Sequence, residues 1–189
     1  MFDLNGKTAL ITGGCGLLGV QHAEAILEFG GEVILTDVVS DTSRVIKLKE
    51  KYGTNVSSVY MDVTDKSSIQ KVVDKFEKID ILINNAALDP KVEDGLEYKN
   101  KFEHLDLDSW NKTIDVILNG TFLCSQVVVN KMLSTGLESE YCRDGGVILN
   151  IASDLSIISP DQRIYGDGVK PASYGVAKAG VVNLTKYLS

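Results

Sequence analysis

The fold is decided by the stretch Thr12-Gly13-Gly14-Cys15-Gly16-Leu17-Leu18-Gly19, which joins the apolar run 8–11 to an amphipathic segment at 16–29. The run predicts a β-strand and the segment an α-helix, so the glycines lie in a strand-to-helix turn. Glycine permits a tight turn and lets backbone N–H groups approach a pyrophosphate at the helix N-terminus. A plain tight turn is the alternative, because 17 glycines produce such spacings by chance. The position between strand and helix favours dinucleotide binding by Gly13, Cys15, Gly16, Leu17, Leu18 and Gly19.

Outward from this turn, short apolar runs alternate with longer amphipathic stretches along the chain. Further strands are predicted at 32–36, 56–60, 79–83 and 146–151, and further helices at 40–51, 65–76, 108–133 and from 173 onward. Apolar strands joined by helices indicate a parallel sheet covered on both faces, and right-handed crossovers make it a doubly wound α/β sheet. Residues 1–189 are predicted to form one dinucleotide-binding domain, with its ligand crevice beyond the C-terminal ends of the strands.

Composition argues against several other classes of protein. The 189 residues carry 19 Lys and Arg against 26 Asp and Glu, a net charge of −7, whereas nucleic-acid-binding proteins usually present a basic patch. No apolar run approaches the roughly 18 residues that span a bilayer, and no secretory signal pattern is visible. Cys15, Cys124 and Cys142 are widely spaced, and His22 and His104 lack companions at metal-ligand spacing. We therefore expect a cytoplasmic protein that binds no nucleic acid, membrane or metal.

Two aspartates at strand ends are candidate contacts to a nucleotide. Asp37 ends the second strand, 24 residues after Gly13, where a carboxylate can bind the adenosine ribose hydroxyls and repel a 2′-phosphate. No Arg or Lys lies in 33–43, so NAD is favoured over NADP, unless Asp37 is only a solvated or capping residue. Asp62, followed by Val63, ends the third strand and can reach the adenine amino group, with helix capping as an equal alternative.

Two later motifs complete an ordered set along the chain. Asn84-Asn85-Ala86-Ala87 follows the fourth predicted strand, and Tyr174-Gly175-Val176-Ala177-Lys178 opens the last helix. Together with the glycine turn, the strand-end aspartate and Ser153 after the fifth strand, this order resembles the short-chain dehydrogenase/reductase family, which has a Rossmann fold. The resemblance runs from Lys7 to the C-terminus. It implies that the segment containing Asn85 and Ala86 supports the cofactor side of the site.

The resemblance also implies a catalytic set of Ser153, Tyr174 and Lys178, of which Tyr174 and Lys178 also contact the cofactor. The tyrosine and the lysine are one helical turn apart and share a helix face. A nearby ammonium favours the phenolate of a tyrosine, whose ordinary pKa is about 10. Ser153 can hold the substrate oxygen, with Ser156 and Ser159 as rivals on an unusually long loop. We prefer Ser153 because the strand register fixes its position.

Three features depart from the family pattern. Leu17 stands where the best-known branch has a glycine, so the glycine spacing resembles that of the sugar-nucleotide-acting branch. Ile117 occupies the usual position of a catalytic Asn, and Asn119 lies about 200° around the helix from it, which argues against a water relay held by that Asn. The chain ends at Ser189, within or just after the last helix, so we expect a sheet that lacks the family's C-terminal strands.

The expected activity is hydride transfer between NAD(H) and a secondary alcohol or its ketone, with Tyr174 as general base or acid. Long polar loops suggest a polar or sugar-like substrate, and the insertion at 159–165 with Lys170-Pro171 resembles members from surface-polysaccharide or flagellin-sugar pathways. The alternatives are a non-catalytic dinucleotide-binding or regulatory protein and an NAD-retaining sugar epimerase or dehydratase. The family pairs through its long helix and last helix, so we expect a homodimer or homotetramer.

Overall fold

The computed structural model describes residues 2–39, 42–89, 97–135, 146–166 and 168–189. The chain divides into two compact units, one formed by Met1–Ala86 with Leu123–Ile151 and the other by Ala87–Phe122 with Ala152–Ser189. The first unit contains the glycine turn and the sheet, and the second contains Ser153 and the last helix.

The first unit is built on a five-stranded parallel sheet. Its strands are β1 (Thr8–Thr12), β2 (Glu32–Asp37), β3 (Val56–Tyr60), β4 (Ile81–Asn84) and β5 (Val147–Asn150). They lie in the order β3-β2-β1-β4-β5, and all four pairings are parallel. The chain progresses outward from β1 in both directions, so the order reverses between β1 and β4. This strand order confirms the predicted doubly wound α/β fold. In such a fold, a ligand crevice opens at the C-terminal ends of the strands where the order reverses.

Helices of the first unit bury their apolar faces against this sheet. They are α1 (Leu17–Glu28), α2 (Ser43–Tyr52) and α3 (Lys66–Val73). One sheet face, with Ala9 and Leu35, forms a core with residues of α1 and α2 such as Val20 and Val45. Residues of the opposite pleat, such as Leu10, are also fully buried. Burial of both faces is typical of a parallel sheet and explains why its strands are continuously apolar.

The cap of α3 differs from the sequence prediction. The sequence predicts Thr64 as the N-cap, but Asp65 takes that position, because its carboxylate accepts the backbone N–H of Ser67 at 2.8 Å. The helix also ends at Val73, earlier than predicted. An aspartate and a threonine are both good N-caps, so sequence alone does not separate two adjacent candidates.

The second unit is mainly helical. Its elements include α4 (Glu97–Asn100), α5 (Leu107–Ile114), a π-helical turn at Asp115–Asn119, the start of α6 (Gly120–Ser134) and α7 (Ala172–Leu188). The long connection before α7, predicted as a loop, contains two short 3₁₀ turns, Asp154–Ser156 and Gln162–Tyr165. A small core joins Ile117 of the π-helical turn to Ala177 and Val181 of α7.

The continuous helix Leu107–Ser134 is, within the described ranges, long and apolar enough to cross a membrane. Helices in protein cores are often equally long and apolar, and 44% of the most apolar 18-residue stretch of this helix is buried inside the protein. Length and apolar composition are therefore only weak evidence that this helix spans a membrane. Among described cysteines, Cys15 and Cys124 are buried and form no disulfide, and burial raises the pKa of Cys124 to about 12. Cys142 lies outside the described residues.

Candidate functional site

The glycine turn packs tightly against the segment that follows β4. Gly13 has a φ of +61°, and a Cβ placed on it would lie 2.8 Å from the Cα of Ala86. The Asn85 amide donates to the carbonyls of Thr12 and Gly13, both at 3.0 Å, and the Ala86 N–H donates to the Thr12 hydroxyl at 3.0 Å. The structure therefore brings Gly13, Asn85 and Ala86 together, and their contact with a cofactor stays a prediction.

The N-terminus of α1 is open to an anion. Its N-cap is Gly16, which provides no side chain to accept the first backbone N–H groups of the helix. Leu17 and Leu18 in the first turn are 65% and 56% exposed. Gly19 packs directly on the carbonyl of Gly13, which leaves no room for a side chain there. Uncapped N–H groups at a helix N-terminus, next to a turn that a Cβ would fill, fit the pyrophosphate of a dinucleotide.

Asp37 lies against the glycine turn at the end of β2. Its carboxylate accepts the backbone N–H of Cys15 at 3.2 Å through one oxygen and that of Val39 at 3.2 Å through the other. The side chain therefore stands beside the turn, where an adenosine ribose would contact it in a fold of this kind. This position agrees with the sequence hypothesis, which stays a prediction.

Asp62 caps the turn that leads into α3. One oxygen of its carboxylate accepts the Thr64 N–H at 2.9 Å and the Thr64 hydroxyl at 2.7 Å. Asp62 therefore stabilises the turn before α3, whereas the helix cap itself is Asp65, and Val63 beside Asp62 is buried. Contact between the second oxygen of the Asp62 carboxylate and the adenine amino group stays a prediction.

Ser153 and Tyr174 are brought together in the second unit. Ser153 follows β5 and caps the turn Asp154–Ser156, where its hydroxyl accepts the Leu155 N–H at 3.2 Å. The same hydroxyl donates to the Asp154 carboxylate at 2.9 Å, and it interacts with the Tyr174 phenol, whose pKa it lowers. Its rival Ser156 donates to the Ser153 carbonyl, so it stabilises the turn instead. The structure favours Ser153 as the serine partner of Tyr174.

The surroundings of Tyr174 determine its acidity. Burial raises the pKa of its phenol, the carboxylate of Asp89 raises the pKa further, and the hydrogen bond with Ser153 lowers it. Burial lowers the pKa of Lys178, whose ammonium lies 5.9 Å from the centre of the Tyr174 ring. The net direction for the pKa of Tyr174 is upward, whereas we expected the nearby ammonium of Lys178 to favour the phenolate. The difference arises first from burial of the phenol and then from Asp89, which follows β4 and was not predicted to face Tyr174.

Lys170, which the sequence leaves open as a substrate contact or a solvated residue, also packs on Tyr174. Its ammonium lies 4.3 Å from the centre of the Tyr174 ring and forms an ion pair with Asp89. Sequence reasoning expects most charged residues of this insertion to be solvated, which holds for the exposed pair Asp161 and Arg163. Lys170 is buried instead, and nothing in its local pattern distinguishes it from a surface lysine.

Ile117, at the position of the family's catalytic Asn, is buried in the core with Ala177 and Val181, and Tyr174 packs against the same cluster. Asn119 is exposed and donates to the Asp115 carboxylate at 2.7 Å. The side of Tyr174 that faces this cluster is therefore apolar, and Asn119 does not replace the missing amide.

Comparison with known proteins links these features to a family. A family model described as short chain dehydrogenase matches residues 7–189. The chain is 31% identical, over 100% of its length, to an NAD-dependent glycerol dehydrogenase of Listeria innocua serovar 6a, of which it covers 65%. It is 30% identical, again over 100% of its length, to the D-threitol dehydrogenase of Mycolicibacterium smegmatis, of which it covers 65%. The chain therefore spans just under two thirds of the length of these curated relatives.

A solved structure supports the same assignment. The crystal structure of a short-chain type dehydrogenase/reductase from Mycobacterium marinum matches with a TM-score of 0.80 at 25% sequence identity. The match covers 99% of this chain and 69% of that one. The likeness in fold thus extends over nearly the whole chain.

Proposed function

Because this chain belongs to the short-chain dehydrogenase/reductase family, we propose that it transfers a hydride between NAD(H) and a secondary alcohol or its ketone. The observation that carries the proposal is the interaction of the Ser153 hydroxyl with the Tyr174 phenol, with Lys178 one helical turn further along α7. A phenol, a second hydroxyl and an ammonium in one place can bind an alcohol oxygen and move its proton.

Each residue of this set has a distinct role in the proposal. Tyr174 removes the hydroxyl proton during oxidation and returns it during reduction. Ser153 donates to the substrate oxygen and holds it next to the phenol, and Lys178 binds the nicotinamide ribose and favours the phenolate. Bound NAD(H) supplies the acceptor or donor of the hydride. The glycine turn, Asp37, Asp62 and the segment after β4 are proposed to hold it.

The pKa of Tyr174 sets a testable pH dependence. Oxidation requires the phenolate, so its rate should rise with pH through the pKa of Tyr174, which burial and Asp89 raise. Asp89→Asn removes the carboxylate and lowers that pKa, so the rising limb of the kcat profile for oxidation should move to lower pH. The control is Asp161→Asn, which changes an exposed carboxylate paired with Arg163. A limb that stays in place in Asp89→Asn, or moves upward, would contradict the role of Tyr174 as base.

We propose NAD rather than NADP as the cofactor because the Asp37 carboxylate lies beside the glycine turn, where it would meet the adenosine ribose in a fold of this kind. Asp37→Ser should weaken NADH binding about tenfold and strengthen NADPH binding, because the ribose loses an acceptor and a 2′-phosphate loses a repulsive charge. Fluorescence titration with both reduced cofactors measures the ratio. Asp3→Ser, near the N-terminus, is the matched control. An unchanged ratio in Asp37→Ser would show that the carboxylate does not contact the ribose.

The substrate is proposed to be a polar or sugar-like alcohol. The names of two relatives, which act on glycerol and D-threitol, support this class. We further propose a cytoplasmic homodimer or homotetramer, in line with family pairing through the long helix and the last helix.

A second candidate function is dinucleotide binding without catalysis, which the burial of Ile117 at the usual Asn position favours. One experiment separates the two. NADH binding is measured by fluorescence, and NADH formation at 340 nm is followed with glycerol, D-threitol and other secondary alcohols. NADH binding together with alcohol-dependent NADH formation supports the dehydrogenase. NADH binding with no turnover of any alcohol supports the second candidate.

A further inference from the structure

A cavity of about 440 Å³ lies within the second unit, next to the start of α7. This volume is in the usual range of small-molecule sites. Its wall is mostly apolar, with the side chains of Leu155, Ile157, Ile158, Val169 and Val176. Among the described residues that line it, Lys170 is the only one that carries a charge.

The backbone of Lys170 is held in the cavity wall by the side chain of Gln162. The side chain of Gln162 accepts the Lys170 N–H at 2.9 Å and donates to the Lys170 carbonyl at 3.0 Å. These two hydrogen bonds join the two ends of the segment 162–170. The ammonium is thereby fixed above the ring of Tyr174, at 4.3 Å from its centre. A group bound to Lys170 would therefore lie close to the proposed catalytic phenol.

The two side chains of the Lys170–Asp89 ion pair differ strongly in exposure, which favours replacement of Asp89 by another anion. The Lys170 side chain is 8% exposed, whereas that of Asp89 is 65% exposed. Asp89 can leave the pair and be hydrated at little cost, but a buried ammonium needs an anion in its place. Asn100 is also among the lining residues, and its buried amide nitrogen has no hydrogen-bond partner among the described residues.

From these observations we infer that Lys170 binds a carboxylate of the substrate in place of Asp89, so that the enzyme acts on hydroxy acids with a hydrocarbon body. The inference rests on the proposed hydride transfer and names a substrate class that is less polar than glycerol or D-threitol. The apolar wall would contact the hydrocarbon part, and the two nitrogen donors would bind the carboxylate. The secondary hydroxyl would then be presented to Tyr174.

The test compares two probes of nearly equal shape, cyclohexanecarboxylate and cyclohexanecarboxamide, by calorimetric titration of the full chain without nucleotide. We expect the carboxylate to bind at least tenfold more tightly than the amide. Lys170→Met should remove this preference, whereas Lys186→Met, at an exposed site on α7, should keep it. Equal affinity of the two probes for the unmodified protein, no binding of either, or a preference that survives in Lys170→Met would overturn the inference.

Asp89→Asn supplies a test with the opposite sign. If Asp89 competes with the substrate carboxylate, its removal should strengthen binding of cyclohexanecarboxylate several-fold and leave the amide unchanged. A purely structural ion pair predicts weaker binding of both probes in this variant, and that result would count against the inference. These readouts do not involve hydride transfer, so failure of the inference is distinguishable from failure of the proposed dehydrogenase activity.

Discussion

Tyr174→Phe is expected to lower kcat for alcohol oxidation by about 10²- to 10⁴-fold, the usual contribution of a positioned general base. The substitution removes the phenol oxygen that is proposed to accept the substrate proton, while the ring keeps its packing against the cluster around Ile117. NADH formation at 340 nm measures the rate, and fluorescence titration should show NADH affinity within about twofold of the unmodified protein.

The matched control is Tyr187→Phe, which removes a phenol hydroxyl from an exposed position on the same helix. It should leave both kcat and NADH affinity unchanged. Undiminished turnover in Tyr174→Phe, or an equal loss in Tyr187→Phe, would rule out the proposed role of Tyr174.

The second large effect concerns the glycine turn. Gly13→Ala combines a left-handed backbone, with φ of +61°, and a Cβ 2.8 Å from the Cα of Ala86. The strained backbone costs about 1–2 kcal/mol of unfolding free energy, and the forced shift of the neighbouring segment adds about 1–3 kcal/mol. Because that segment and the turn are both proposed to contact the dinucleotide, NADH affinity should fall at least tenfold.

Gly53→Ala separates the two causes. Gly53 has nearly the same backbone angle, with φ of +59°, but a Cβ there would meet nothing within 4 Å. It should show only the backbone cost of about 1–2 kcal/mol in urea unfolding and an unchanged NADH affinity. Similar losses of NADH affinity in both variants would indicate that general destabilisation, and not the geometry of the turn, is responsible.

The sheet and the nucleotide half of the site are predictable from the sequence for a local reason. Apolar runs between glycines and capping residues give the strands and helices, and parallel strands bring their C-terminal residues to one edge. The sequence alone therefore assigns Asp37 and Asn85 to the same edge as the glycine turn. The hydrogen bonds that join both residues to this turn follow that expectation.

The environment of Tyr174 is less predictable, because it depends on contacts between distant segments. Asp89 and Lys170 are 81 residues apart, and neither lies in a periodic pattern that would reveal their ion pair. The π-helical turn Asp115–Asn119 likewise contains no proline or glycine from which the turn could be predicted. Such turns are frequent at functional sites, and here the turn places Ile117 in the core that Tyr174 contacts.

The most direct measurement is a crystal structure of the full-length protein with NAD and an alcohol substrate or its analogue. We expect the pyrophosphate on the backbone N–H groups of residues 13–19 and the substrate oxygen about 2.6–3.2 Å from both the Tyr174 and the Ser153 hydroxyls. Lys178 should point to the nicotinamide ribose. A dinucleotide bound away from the glycine turn, or a Tyr174 hydroxyl out of reach of the substrate oxygen, would contradict the proposed function.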